Sequence, residues 1–557
     1  MLLDFNNLSS YQKLEIDKIS HEIEKDFHNF IEVLFENNKD NIDLLFSNII
    51  SRNNDENSIF YNLCLFQLSL KLNQEGKLSK IITSKIEQTE ILKQKIKNID
   101  IITQKKNGVN FLSNIYKIIK NIHYVLKLKS CQNFKRKEKV KKLKKITLLE
   151  IFFIPKMFSN NIYHDRYYGN LLEEIDDNKK KNLIFFPIFF HKAIKKKFIK
   201  LAEKKINLIL QSDYLKFEDY VNSITFFLRI KKLNLKNLVF KGFNIDNLVK
   251  CTINAEKLNQ STLIALLNYH CFKRMKEQKL NLKLIIDWYE NQIVDKGFNY
   301  GKNIFFPKIK SKGFLGLNSI LEINKNFIPS RFEIKRNLAP DEICLISPKY
   351  FEVLKKERSD INFTLAPALR SVNLLKEKFD LLPKKSNIEQ FKILINFTGS
   401  YFDNLEMIEL INKCKILQSK KIDLFIRPHQ ASDKKIFNKY LSKKINYQYS
   451  QIFFYDEMKN TDLLISRSST ACFESLIFGV PVLITRRKNS FLPTKIHKTF
   501  PDKLWFFSND SYELEKNISR IMVDKTKYIV KSVDERKKLL SEYFYPTIKE
   551  NISFFLK

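Results

Sequence analysis

Residues 461–485, TDLLISRSSTACFESLIFGVPVLIT, decide how the rest of this chain is read. The apolar run at 463–465 is short enough for a buried parallel strand. A polar turn follows, Ser466-Arg467-Ser468-Ser469-Thr470, rich in hydroxyls that can cap a helix. Residues 471–478 are predicted as that helix, stopped by Gly479 with Pro481 close behind, and residues 482–484 as the next strand. Strand, turn, helix and strand make a right-handed βαβ unit. Its helix N-terminus points outward and is suited to phosphate. Glu474, one turn in, is placed to take ribose hydroxyls.

The same alternation extends to both sides. KILINF (392–397) reads as a buried strand that delivers Thr398-Gly399-Ser400, with a helix opened by Asp403 and Glu406 as an acidic capping box. The strand at 422–426 delivers Arg427-Pro428-His429-Gln430. Arginine offers a planar fork to phosphate and histidine a switchable donor. Further strands are predicted at 451–455 and 504–507, and helices at 511–522 and 532–543, the last able to cross back to the first half. Strand–turn–helix repeats of this kind build a nucleotide-binding domain whose ligands sit at the carboxyl edge of the sheet.

The first half is less regular. Residues 11–36 carry Ile16, Ile19, Ile23, Phe27, Phe30 and Leu34 at helical spacing and are predicted as one amphipathic helix. A helix is expected at 59–72 and strands at 80–84, 183–190 and 343–347. KRKEKVKKLKK (135–145) holds eight basic residues in eleven and runs into ITLLEIFFIPKMF. It reads either as a solvated helix face followed by a buried element, or as a dock for an anionic membrane surface. LNLKLII (280–286) is a strand or a buried helix, with Asp287, Glu290, Gln292 and a glycine-containing loop beyond it. Glu290, and after it Asp287, is a candidate general base; an ion pair at the end of an element is the alternative.

Composition narrows the classes. With 557 residues the chain has room for two to four domains. The formal charge of +37 accompanies abundant Lys, Asn, Ile and Phe and only 10 Gly, a profile that AT-rich coding produces by drift. No helix-turn-helix, zinc-finger or RNA-recognition spacing supports nucleic acid as a partner. At ordinary usage about four times as many glycines are expected, so those present mark places where a Cβ does not fit. The seven cysteines are scattered without C-x-x-C, as small apolar residues of a reducing compartment. No charge-free apolar run reaches the length of a membrane span and the N-terminus lacks a signal-peptide plan, so the expected location is cytoplasmic, with the inner face of the cytoplasmic membrane as a possible peripheral site.

The pattern Ser468-Ser469-Thr470…Glu474…Gly479-Val480-Pro481 resembles the donor-binding segment of GT-B glycosyltransferases, especially bacterial enzymes of surface polysaccharide (O-antigen and capsule) biosynthesis. His164-Asp165-Arg166-Tyr167-Tyr168-Gly169-Asn170, Trp288-Tyr289-Glu290-Asn291-Gln292 with Asp295-Lys296-Gly297, Lys312-Gly313-Phe314-Leu315-Gly316, Pro329-Ser330-Arg331-Phe332-Glu333 and Pro367-Ala368-Leu369-Arg370 are similar to elements of the same surface-carbohydrate family. In GT-B enzymes that use CMP-sugars or CDP-linked donors, a His-Pro stands where His429-Gln430 stands here; the change puts the loop shape in doubt.

The resemblance implies an α/β, GT-B-like fold with two Rossmann-like domains facing across a cleft and additional N-terminal helices. The expected boundaries are an N-terminal helical region at 1–55, an acceptor-side domain at 56–380 with a helical, basic insertion near 133–160, a nucleotide-sugar-binding domain at 386–530 and a returning C-terminal helix at 531–557. It implies donor binding by Thr398, Gly399, Ser400, Arg427, His429, Ser468, Ser469, Thr470 and Glu474, with Glu290 as catalytic base and no metal. The nucleotide-sugar is a co-substrate and no further cofactor is implied. The expected acceptor is a growing glycan or a lipid-linked one, and the expected donor a nucleotide-sugar, with a tilt to CMP-linked acidic sugars. The alternatives are a transferase of CDP-glycerol type and a non-catalytic scaffold of envelope polysaccharide assembly.

Overall fold

The computed structural model describes the chain apart from residues 40, 54–58, 105–110, 190–192, 320–322, 377–389, 430–431, 433, 468, 489, 492–503 and 529–531, and the side chains of 111–112 and 525–526. Strands β1 (Leu2–Asp4), β2 (Lys80–Thr83) and β3 (Asp100–Thr103) form a small parallel sheet. Next come β4 (Ile146–Phe153), β5 (Leu183–Phe189), the short hairpin β6 (Val239–Phe240) and β7 (Phe243–Asn244), then β8 (Leu282–Trp288), β9 (Lys310–Leu315), β10 (Glu342–Leu345) and β11 (Phe363–Leu365). Without the hairpin these make a six-stranded parallel sheet in the order β11-β10-β9-β8-β4-β5. The second half contributes β12 (Phe391–Asn396), β13 (Ile422–Arg427), β14 (Gln448–Tyr449), β15 (Leu463–Ser466), β16 (Val482–Thr485) and β17 (Trp505–Ser508), parallel in the order β14-β13-β12-β15-β16-β17. That is the Rossmann order. The chain has the expected architecture, two Rossmann-like α/β domains.

The strands are nearly unbroken apolar runs because parallel sheets are covered on both faces. Every residue of β5, β10, β15 and β16 is buried. One apolar core fills the first domain and continues into the second through Cys472, Phe473, Leu476 and Ile477 of the helix Thr470–Ile477. A separate core, including Ile393, Met407, Ile411 and Ile518, covers the other face of the second sheet. The helices Val533–Tyr543 and Lys549–Phe555 cross back, as the sequence allowed. Phe473 packs on Tyr543 at 5.7 Å between ring centroids, and the Tyr545 N–H donates to the Ile346 carbonyl at 2.7 Å.

Several local expectations are corrected. Residues 11–36 form two helices, Ser10–Glu22 and Glu24–Glu36, broken at Ile23 where ψ is near 0°. The region at 1–55 expected to be helical also holds β1, which pairs in register with β2. Residues 451–455 are not a strand; the edge strand is β14, and Phe454–Met458 is helical. Residues 293–305 are a helix instead of a loop, whose Gly297 lies so close to Ala265 of the helix Gln260–Glu277 that a Cβ would meet its backbone at 2.3 Å. The apolar run after the basic stretch is β4, an inner strand of the first sheet, so it is structural and not half of a membrane dock. Arg136 of that stretch is buried on Asp213 and Glu203. The linker expected around 381–386 lies outside the described residues.

Candidate active site

Each six-stranded sheet reverses its strand order once, between β4 and β8 in the first domain and between β12 and β15 in the second. Crevices at such points, beyond the carboxyl ends of the strands, are where doubly wound sheets take ligands. Here the two edges meet. β4 leads to Lys156 and Arg166, β8 to Glu290 and β11 to Arg370; β12 leads to Thr398-Gly399-Ser400, β13 to His429 and β15 to Ser469, Thr470 and Glu474.

His429 lies against Gly399, where a Cβ would stand 3.1 Å from its Nδ1. Burial, and then the charges of Arg166, Arg370 and Lys156, push its pKa down to about 4. Three cations of the first domain thus face a histidine of the second. Arg166 is itself pushed down to about 10 by burial and by Arg370, with Glu290 among the groups pulling it back up. Arg370 stands over the Trp288 ring at 6.0 Å. Glu474 accepts from the Tyr455 hydroxyl at 3.2 Å; burial raises its pKa, opposed by Arg370, Tyr455 and Arg427. Arg427 spends one nitrogen on Ser450 Oγ and the Ile452 carbonyl, both at 2.9 Å, and lies over the Phe454 ring.

Glu290 is held from both sides. Trp288 Nε1 donates to Oε1 at 2.7 Å and Gln292 Nε2 to Oε2 at 2.9 Å. Its backbone N–H, with that of Gln292, donates to Asp295 Oδ2 at 2.9 Å. Asp295 therefore both opens the helix Ile293–Phe305 and positions the Glu290 loop. Asp287, the second candidate base, is fully buried in β8, bound by Asn299 Nδ2 at 2.8 Å and pushed up to about 7 by burial. Glu150 and Asp295 are both raised well above the carboxylate range by burial first, Glu150 then by Asp295 and Asp287 and Asp295 by Asp287, so the three make a buried acidic cluster. That removes Asp287 from the accessible chemistry.

The hydroxyl residues have structural partners as well. Ser400 is the N-cap of the helix Tyr401–Lys413, accepting from the Asp403 N–H at 3.3 Å; Asp403 and Glu406 lie inside that helix and pair with Arg467. Thr398 is fixed by Asn404, which accepts from its N–H at 3.0 Å. Ser469 caps the helix Thr470–Ile477 and accepts from Asn396 Nδ2 at 3.2 Å. Thr470 Oγ1 donates across the domains to the Asn318 carbonyl at 3.1 Å. Ser468 and Gln430 lie outside the described residues. Arg486 stacks on Phe507 and Arg487 pairs with Asp403. They line or adjoin a separate cavity of about 510 Å3, formed with the N-terminal segment around Lys13 and away from His429 and Glu290.

Sequence reasoning did not assign Lys156, Arg166, Arg370 or Asp295. The signal for two of them was present: the Tyr-Tyr-Gly and Pro-Ala-Leu-Arg elements are packed on each other. Gly169 has φ +49°, and a Cβ there would stand 2.1 Å from the Leu369 carbonyl oxygen. One glycine thereby lets the Arg166 loop and the Arg370 loop meet. Among the described residues no group of three or more His, Cys, Asp or Glu side chains is placed to hold a metal ion, and no helix is long and apolar enough to cross a membrane.

No protein-family model and no curated protein matches the chain. Among solved structures, the glycosyltransferase SnogD of Streptomyces nogalater aligns at a TM-score of 0.39 and 8% identity, over 74% of this chain and 99% of that one. HepE of Anabaena in complex with UDP-glucose aligns at 0.40 and 11%, over 74% and 99%. The N-terminal domain of Candida albicans trehalose-6-phosphate phosphatase aligns at 0.41 and 12%, over 75% and 96%. These are likenesses of outline, and no residue role is taken from them.

Proposed function

We propose that this chain is a glycosyltransferase that moves a sugar from a nucleotide-activated donor to a surface glycan or lipid-linked acceptor. The supporting observation is that two sheet switch points bring Lys156, Arg166 and Arg370 within electrostatic reach of His429, with Glu290 acting on Arg166 and Arg370 on Glu474. Departure of a nucleoside phosphate leaves negative charge on oxygen, and preorganised cations and a helix N-terminus are what stabilise it. The helix Thr470–Ile477 supplies that terminus, with Glu474 one turn in to take ribose hydroxyls. Glu290, fixed by Trp288 and Gln292, is the base that would accept the acceptor's proton as the new glycosidic bond forms. The cations take the part of a leaving-group counter-charge without a metal. A CMP-linked acidic sugar is the favoured donor, on the motif resemblance alone.

The test is thermal stability against CMP-, CDP-, UDP-, GDP- and TDP-linked ligands. A ligand at about 100 times its dissociation constant adds about 2.7 kcal/mol to the folded state. The expected result is a shift with one nucleotide class that Arg370→Ala and His429→Ala abolish. No shift with any class, with or without a glycan acceptor, overturns the enzyme reading in favour of a scaffold.

A further inference from the structure

The helix Phe111–Lys129 has two apolar faces where a surface helix needs one. Tyr124, Val125 and Leu128, with Asn121, are buried against the protein. Nearly opposite them, Ile115, Ile119, Ile122 and Leu126, spaced four, three and four residues apart, are exposed; Ile119 and Leu126 keep 58% and 59% of their surface in solvent. Phe217, 72% exposed on the neighbouring helix Phe217–Ile224, extends the stripe, with the Lys129 ammonium 5.2 Å from its ring centroid. An outward apolar stripe of this kind marks a surface with an occupant.

The charge around the stripe identifies the occupant. Residues 111–145 contain eleven lysines and Arg136 against one acid, Glu138. The chain as a whole has 98 basic and 61 acidic residues, a ratio at which about five acids are expected among thirteen charged positions. The depletion of acids is local and is not compositional drift. Lys120 and Lys127 flank one side of the stripe and Lys129 the other, where long side chains carry ammonium groups outward past buried apolar stems.

We propose that this helix face is a membrane-docking surface that inserts Ile115, Ile119, Ile122 and Leu126 into the headgroup boundary of an anionic phospholipid layer, with the lysines on the phosphates. The dock is the helix before the 135–145 run, and that run adds long-range attraction. The Tyr124 hydroxyl donates to the Phe189 carbonyl at the carboxyl end of β5. The helix therefore stands at the edge of the first sheet that also presents Lys156, Arg166 and Glu290, so a docked protein holds its site close to the lipid surface. None of the residues assigned to donor binding lies on this helix face.

The experiment is flotation of the full chain with vesicles of phosphatidylcholine alone or with phosphatidylglycerol, at low and high salt. The expected result is binding to anionic vesicles that falls at least tenfold in Ile119→Asp/Leu126→Asp, and about fivefold for each of Lys120, Lys127 and Lys129 changed to Gln. Val523→Asp, at an exposed apolar site elsewhere, should change nothing, and all variants should keep the wild-type melting temperature because none of these side chains is buried. Binding that is unaffected by the helix variants overturns the proposal. So does sedimentation showing that the stripe pairs two copies of the chain, with Ile119→Asp/Leu126→Asp dissociating them and vesicle binding absent.

Discussion

His429 should make the unliganded protein lose stability on mild acidification, and an anionic ligand should cancel that loss. The ring lies at about 4 instead of the usual 6.5 because it is buried and faces Arg166, Arg370 and Lys156. A group whose folded value lies below its unfolded one contributes its full stability above the unfolded value and loses it as pH falls toward the folded value. Between pH 7 and pH 5 the loss from this one ring is about 2 kcal/mol at about 1.4 kcal/mol per pH decade. His28 and His270 are also pushed down to about 4 and carry the same sign, so the informative quantity is the difference from His429→Gln. Urea unfolding at pH 7 and pH 5 should show the wild type losing about 2 kcal/mol more than the variant. A nucleoside diphosphate brings negative charge to the same three cations, so it should raise the pKa of His429, take up a proton on binding and narrow that difference. Equal losses in wild type and variant would falsify the cation-facing geometry. An unchanged difference with the binding nucleotide present would separate His429 from the donor site.

Two other perturbations follow from contacts already described. Glu290→Gln keeps the size of the side chain but removes the base, so turnover should fall roughly a hundred- to ten-thousand-fold while the nucleotide-induced melting shift is retained; full activity would remove the assignment. Gly169→Ala forces a Cβ onto the Leu369 carbonyl at a φ of +49°, at a cost of about 3 kcal/mol, and moves the Arg370 loop; the denaturant midpoint should drop and nucleotide affinity weaken, and a wild-type midpoint would show the two loops to be independent.

The second domain was legible because its strands are short apolar runs and its turns carry polar residues at strand ends, the two signals that local sequence transmits best. The turn hydroxyls were harder to interpret. Ser400, Ser469 and Thr470 are engaged by the Asp403 N–H, Asn396 and the Asn318 carbonyl, and a hydroxyl motif does not state in advance which of its groups the fold consumes. Lys156 and Arg166 lie in one segment, but Arg370 and His429 come from places more than fifty residues from it and from each other, so no spacing rule could gather them. Asp287 and Glu290 differ by three positions, yet one is buried with Glu150 and Asp295 and the other is half-buried and held by Trp288 and Gln292. Asp287 lies inside β8 and Glu290 in the loop beyond Trp288, a boundary that an unbroken apolar run does not encode. The break at Ile23 and the edge strand β14 were missed because apolar periodicity continues through the first and the second is only two residues long.

The returning C-terminal helices set an order of events during synthesis. The Lys312 ammonium, 2% exposed in β9, donates to the carbonyls of Phe554 and Phe555, more than 240 residues later in the chain, at 3.2 and 2.9 Å, and pairs with Glu342 at 3.2 Å. Until those carbonyls have emerged from the ribosome, the first domain carries an inner strand with an ammonium group that only part of its coordination satisfies. The first domain is thus translated first but completed last, when Phe554 and Phe555 reach Lys312.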